Sequence, residues 1–241
     1  MRFYTNVQMV GDNFLVRGHE NGRHFATREK FYPTLFVDSK KKTKYKTLNG
    51  DYVEAIEPGT VRESRDFIKK YRDIENFNIY GNERFIYQYI SEKYPEDEIR
   101  FDVKQIKITT IDIEVKSENG FPDPEAAAEE ILLISIQDYT SKQIRTWGLG
   151  PFNNKQDNVI YKSFRTEYEL LSDFINWWMI EDNTPEVITG WNSKFYDIPY
   201  LTRRIDRILG EKLKKRMSPW GLVTECETYI AGRKFISYDI G

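Results

Sequence analysis

The sequence predicts an α/β (α+β) chain in two parts: a smaller β-rich domain over residues 1–100 and a mixed-sheet domain over residues 101–241. Three observations carry this. Residues 1–37 place apolar positions among polar ones and are broken by turn residues, the signature of short strands. Beyond residue 101 the apolar pattern gives three or four strands, a helix, a strand and a helix, which is a layered α/β order. Between them, residues 91–100 are polar and charged and contain Pro95, as a domain boundary would.

In the first part, Phe3, Val7 and Met9 alternate with polar residues, and Phe14 to Val16 follow a Gly11-Asp12-Asn13 turn. Glu20-Asn21-Gly22-Arg23 is a hairpin signal, because Asn-Gly accepts the positive φ of a tight primed turn. His19 and His24 flank it and read as exposed strand ends. Residues 40–46 hold five lysines, Lys40, Lys41, Lys42, Lys44 and Lys46, around Tyr45: a solvated loop or a phosphate-contacting one. Residues 61–74 read as a helix, with Val61, Phe67, Ile68, Tyr71 and Ile74 near a 3.6 period; a short aromatic segment follows at 77–89.

In the second part, residues 106–115 alternate and are β-branched, the mark of a core strand. Strands follow at 131–139, 144–148 and 159–164. Residues 166–180 form a helix with Thr166 as N-cap and Glu169 three residues on. A strand at 187–189 leads to a helix at 197–209, which Gly210 stops. Trp177, Trp178, Trp191 and Trp220 read as core.

Composition narrows the function classes. The 241 residues carry a net charge of −2, which excludes a uniformly basic coat but not local basic patches. Fifteen per cent aromatic residues argue against general disorder. The longest aliphatic run, 131–134, is far short of the ~20 residues of a membrane-spanning helix, and residues 1–10 lack the pattern of a signal peptide. Cys226 is the sole cysteine, so no disulfide forms within the chain, which suits a reducing cytoplasm. With Cys226, His19 and His24 as the only sulfur or imidazole ligands, a Cys/His zinc site is not expected. Any metal must be held by carboxylates, which selects Mg²⁺ or Mn²⁺.

The informative chemistry begins at Asp112 and Glu114. Side chains alternate along a strand, so these two acids project from one face. Paired carboxylates on an apolar strand repel, and burial raises their pKa; a divalent cation resolves both. The plain alternative is an edge strand with its wet face outward. Asp197 stands where a strand ends and a helix begins. It reads either as an N-cap or as a third carboxylate for the same cation, since α/β folds place ligands at the carboxyl ends of strands. Three acids on two elements suit a two-metal phosphodiester hydrolase.

At these residues the sequence resembles family B DNA polymerases. Asp112-Ile113-Glu114 resembles their first 3′–5′ exonuclease motif, and Asn192-Ser193-Lys194-Phe195-Tyr196-Asp197, beginning 80 residues on, resembles the second. Phe121-Pro122-Asp123-Pro124, Gly190-Trp191-Asn192, Asp197-Ile198-Pro199-Tyr200, Ile208-Leu209-Gly210-Glu211 and Arg216-Met217-Ser218-Pro219 resemble the T-even-type phage replicative polymerases in particular. The resemblance implies a ribonuclease H-like exonuclease fold in the second domain and an OB-like strand core in the first. It implies Asp112, Glu114 and Asp197 as metal ligands, Asn192 holding a frayed primer end, and Phe121 stacking on a displaced base, with Phe195 and Tyr196 also among the DNA-binding residues. Phe121 read alone could equally be a loop aromatic tucked into the core. Tyr196 stands where the family more often has Phe. The family's third motif, Tyr-x-x-x-Asp, is missing, as are the polymerase palm and its acids. The sequence therefore reads as an excised fragment, or as the first piece of a polymerase encoded in separate chains.

Charge layout completes the expectation. Residues 112–130 hold seven acids against Lys116, and residues 203–216 hold seven bases against Asp206 and Glu211. An acidic centre with a basic rim suits hydrolysis of a polyanion, with Arg203, Arg204, Lys214 and Lys215, and Lys40, Lys41 and Lys42 farther off, on phosphates. The alternative is the wet face of a helix. The partners expected are a single-stranded DNA 3′ end, primer-template DNA, RNA as a further polyanion, and a C-terminal polymerase portion. A non-catalytic binding and docking module is the rival reading. A third is a stand-alone nuclease that takes a fourth acid from Asp173 or Asp206.

Overall fold

The computed structural model describes residues 1–95, 100–117 and 120–241. Most of the predicted boundary residues, 96–99, and the acid Glu118 lie outside the described residues. The chain divides into two compact units, Met1–Asp102 and Val103–Gly241.

The first unit starts with β1 (Arg2–Val10), β2 (Asn13–Glu20) and β3 (Arg23–Lys30), an antiparallel meander. Asn21 and Gly22 both take positive φ at the β2–β3 turn, as the Asn-Gly pair requires. A second sheet has the order β5-β6-β4-β7, built from β4 (Leu35–Asp38), β5 (Tyr45–Lys46), β6 (Tyr52–Ile56) and β7 (Ile79–Tyr80). Helix α1 (Val61–Tyr71) is closed by a capping box between Thr60 and Glu63 and ends three residues earlier than its apolar pattern suggests. Helix α2 (Phe85–Lys93) was not expected. Its apolar residues are crowded aromatics, which hide the helical spacing of Phe85 and Tyr89. Phe14, Val16, Phe31, Leu35, Val61, Ile68, Phe85 and Tyr89 form the core of this unit. The Phe14 and Tyr89 rings stack at 4.8 Å. Contrary to expectation, His19 is buried, stacked on Phe3 at 5.2 Å. An imidazole on an inward strand position packs as a ring when an aromatic neighbour covers its face.

The second unit is a five-stranded mixed sheet of order β11-β10-β9-β8-β12. It comprises β8 (Ile108–Val115), β9 (Ile131–Asp138), β10 (Ile144–Leu149), β11 (Val159–Phe164) and β12 (Val187–Thr189). Helix α3 (Glu167–Trp178) follows β11, with the Thr166 hydroxyl accepting from the Glu169 amide at 3.3 Å as expected. Helix α4 (Asp197–Leu209) follows β12 and ends at Gly210, whose φ of 89° favours glycine. A short α5 (Glu211–Lys214) and a 3₁₀ turn (Lys215–Met217) lead to the antiparallel hairpin of β13 (Thr224–Ile230) and β14 (Arg233–Asp239). Most of β13 is exposed, so no apolar alternation announced it.

The core positions the site. Ile111 and Ile113 of β8 pack with Ile131, Ile134 and Ile136 of β9 and its approach, Leu171, Phe174 and Trp178 of α3, and Ile198, Leu201 and Ile205 of α4. Each such side chain, fully buried, contributes roughly 1.5–3 kcal/mol. Trp178 also donates Nε1–H to the Met217 carbonyl at 3.0 Å. With odd positions of β8 committed to this core, the strand's period of two turns Asp112 and Glu114 to the opposite face.

Candidate nucleic-acid and metal site

Asp112 and Glu114 are both exposed on β8, which is an internal strand and not an edge. Asp112 lies opposite Ser135 of β9, and Glu114 opposite Leu133. Strand β12 pairs only with Ile108–Thr110, so its side of β8 is open beyond that point. There the Ile113 amide donates to Asp197 Oδ1 at 3.1 Å. Asp197 thus takes up a backbone donor that no strand reaches, at the residue lying between the two strand acids.

The path from β12 to α4 makes this possible. A Cβ on Gly190 would stand 2.5 Å from the Ile111 carbonyl oxygen, so only glycine permits the close approach. Asn192 takes φ 58°, a conformation Asn tolerates, and its carbonyl accepts from the Phe195 and Tyr196 amides. Asp197 is the first residue of α4 and not its N-cap: Tyr196 holds that place, with no side-chain capping bond.

Asp197 is 3% exposed. Burial pushes its carboxyl up to about 6; the Ile113 amide pulls it down, and the charges of Asp112 and Glu114 push it up further. Tyr196 is pushed up by burial and by Asp197, Glu114 and Glu129. Asp197 therefore feels the charge of both strand acids. The donor set of the three acids is oxygen alone, which fits a hard dication such as Mg²⁺ or Mn²⁺. Among the described residues, no group of three Asp, Glu, His or Cys side chains is gathered closely enough to hold a metal ion as it stands.

Around the acids, Phe121 is 80% exposed, its ring 4.8 Å from that of Tyr196; it is not tucked into the core. Phe195 rests against Phe235 of β14 at 5.3 Å, with Lys194 over its outer side. Asn192 is exposed on the turn. Trp191, expected in the core, is 94% exposed. A residue between a closely packed glycine and a left-handed asparagine is turned outward, and the Gly-Trp-Asn run carried that signal.

Much of the expected basic rim is engaged in contacts within the chain. Arg204 is buried and grips Glu167 of α3 through two bonds of 2.7 and 2.6 Å. Arg203 donates to the Tyr238 hydroxyl and to Glu225, each at 2.9 Å. Lys214 pairs with Asp206 at 2.6 Å and Lys215 with Glu211 at 2.9 Å. The charge run does not say which face of α4 is packed: Arg204 is buried and Arg203 half-buried. In the first unit, Lys40, Lys41 and Lys42 are exposed, while Lys44 and Lys46 lie over Tyr45 and Tyr52. Asp173 is bonded to Trp147 Nε1 and to Lys162, so neither it nor the paired Asp206 is free to act as a fourth acid.

A mixed sheet with two strand acids beside a helix-start aspartate defines an α/β protein with an all-oxygen acidic site. The chain belongs to DNA polymerase family B: residues 68–239 match that family's exonuclease domain. The five-stranded sheet and its helices fit the ribonuclease H-like exonuclease fold. The chain is 32% identical over 247 residues to the DNA-directed DNA polymerase of Enterobacteria phage T4, an alignment covering 92% of this chain and 27% of that protein. To the DNA-directed DNA polymerase of Escherichia phage RB69 it is 31% identical over 245 residues, covering 90% and 27%. To a DNA polymerase of Archaeoglobus fulgidus it is 24% identical over 213 residues, covering 78% and 24%. The chain thus spans about a quarter of the length of these relatives. No helix among the described residues is long and apolar enough to cross a membrane.

Proposed function

We propose that this chain is the N-terminal and proofreading-exonuclease portion of a family B DNA polymerase, acting in the cytoplasm on the 3′ end of single-stranded DNA frayed from primer-template DNA. The observation that carries the reading is the Asp197 carboxylate seated on the Ile113 amide, between Asp112 and Glu114. Exonuclease domains of this family are generally divalent-metal dependent. Asp112, Glu114 and Asp197 would hold Mg²⁺ or Mn²⁺, which supplies an activated water and neutralises charge on the leaving oxygen. The chain's own residues bind and orient. The exposed Phe121 ring offers a face for the terminal base, with stacking worth ~1–3 kcal/mol. Tyr196 backs Phe121, and Asn192, five residues before Asp197, presents an exposed amide. A C-terminal polymerase portion, in the same protein or a separate chain, supplies the synthesis site and the remaining acid.

The test is release of nucleotides from 3′-labelled single-stranded DNA in Mn²⁺, with and without the polymerase portion. Activity that falls at least a hundredfold on Asp112→Ala supports the reading. Full activity in that variant overturns it. The second reading, a binding and docking module without hydrolysis, is favoured by the three acids not being gathered for a metal as they stand. Tight DNA binding with no hydrolysis, even with the polymerase portion added, selects it.

A further inference from the structure

The arginines that leave the basic rim converge on a different target. Arg207 lies four residues after Arg203 and three after Arg204, so its side chain neighbours both on the surface of α4. Arg203 Nη1 donates to the Glu125 carbonyl. Arg207 Nη1 bridges the carbonyls of Ala126 and Ala127 at 3.2 and 3.0 Å. Arg204 Nη1 bridges those of Ala127 and Ala128 at 3.1 and 2.8 Å. Four consecutive carbonyls, 125–128, are thus taken by three guanidinium groups. One turn nearer the helix start, the Tyr200 hydroxyl donates to the Glu129 carbonyl at 2.8 Å and accepts from the Glu129 amide at 3.1 Å. Glu167, held by Arg204, accepts from the Ile131 amide at 2.8 Å.

This segment runs from Phe121 to β9. Ala127 within it is buried and takes φ 41°, a backbone state alanine does not choose unaided. Three alanines at 126–128 leave the backbone bare enough for guanidinium groups to reach it. A charged donor to a carbonyl is a strong bond, and a planar guanidinium can span two oxygens where an ammonium cannot.

We infer that α4 acts as a ruler: its first residue, Asp197, sits on β8, and its later turns fix the 121–130 segment, so that Phe121 is held at a set distance from the acidic site. Arg203, Arg204 and Arg207 are positioning residues that act through Phe121, and not phosphate ligands. The inference rests on the exonuclease reading of that site.

The test uses the whole chain with a single-stranded oligonucleotide carrying 2-aminopurine at its 3′ end, in Ca²⁺, across a range of KCl. Arg207→Gln is chosen because Arg207 is exposed and its loss leaves no buried carboxylate unpaired. Binding weakens about tenfold, the salt slope is unchanged, and amide exchange at 126–131 quickens at least tenfold. Arg207→Lys, which keeps the charge, fails to restore either. In a Phe121→Ala background the same substitution changes binding less than twofold. A phosphate contact gives the reverse: the slope falls by about 0.7 for a single strand, Lys restores binding, and the loss persists without Phe121. That result, or unchanged exchange at 126–131, overturns the inference. If the unaltered chain binds no single-stranded DNA even with the polymerase portion added, the exonuclease reading fails, and the exchange measurement alone decides the clamp.

Discussion

At Asp197 the competing demands on one carboxylate can be separated. Its Oδ1 is needed by the Ile113 amide, which favours an acceptor; burial and two neighbouring acids oppose its charge. The pKa rises from 3.8 to about 6, so the folded chain keeps a proton that the unfolded chain has lost. The sign follows from linkage. The stability this group confers is fully present below pH ~4 and lost as the pH climbs through ~6. Above that, the ionised group leaves the metal-free fold weaker by about 3 kcal/mol. Asp197→Asn keeps an oxygen for Ile113 and removes the charge. In chelator, the variant should melt several degrees above the parent at pH 8 and level with it near pH 4. Mn²⁺ should raise the melting point of the parent and not that of the variant. A variant that melts at or below the parent at pH 8 would show that the acids do not burden one another.

At the scale of elements, the ion pair between α3 and α4 joins the helices to the sheet. Glu167 satisfies Arg204 with both oxygens and also takes the Ile131 amide where β9 begins. Such a pair is weak evidence for net stability, yet breaking it is severe, because the remaining charge stays buried. Glu167→Ala is expected to destabilise the second unit by ~3–5 kcal/mol, read as a fall of the urea midpoint by at least 1 M. The double replacement Glu167→Met, Arg204→Met should recover only part of that loss, because the Ile131 amide and the Ala127 and Ala128 carbonyls each lose a partner with it. A single variant within 1 kcal/mol of the parent would refute the buried-pair account. The elements themselves were largely legible in the sequence where one face is apolar and the other polar: β8, α3 and α4 all declare a period. The hairpin β13–β14 did not, because exposure leaves no alternation to read. Helix α2 did not, because crowded aromatic residues suit either period. The arginines of α4 were misplaced for a related reason. Charge marks the wet face of a helix only when no buried carboxylate or row of carbonyls is waiting opposite, and that partnership is set 37 to 81 residues away in sequence.

For the whole molecule, the site's three acids and their supports all lie within 103–241: β8 presents two, α4 the third, and the 125–130 segment is fastened to α4. The core of that unit is large, with Trp147, Trp178, Phe174 and Tyr200 among its fully buried side chains, and it draws on α3, α4 and β8 to β10. A unit of this size with its own core should fold by itself. The segment 103–241, expressed alone, is expected to unfold in one cooperative urea transition with a structured near-ultraviolet dichroism spectrum from its buried tryptophans. Mn²⁺ should move the transition upward, and Asp112→Asn should abolish that shift while leaving the metal-free stability within about 0.5 kcal/mol, because Asp112 is exposed. A broad, non-cooperative transition would mean that the acidic site depends on more of the chain than the unit that carries it. A cooperative transition indifferent to Mn²⁺ would mean that the acids lie on a stable scaffold but need the remainder of a polymerase before they can close on an ion.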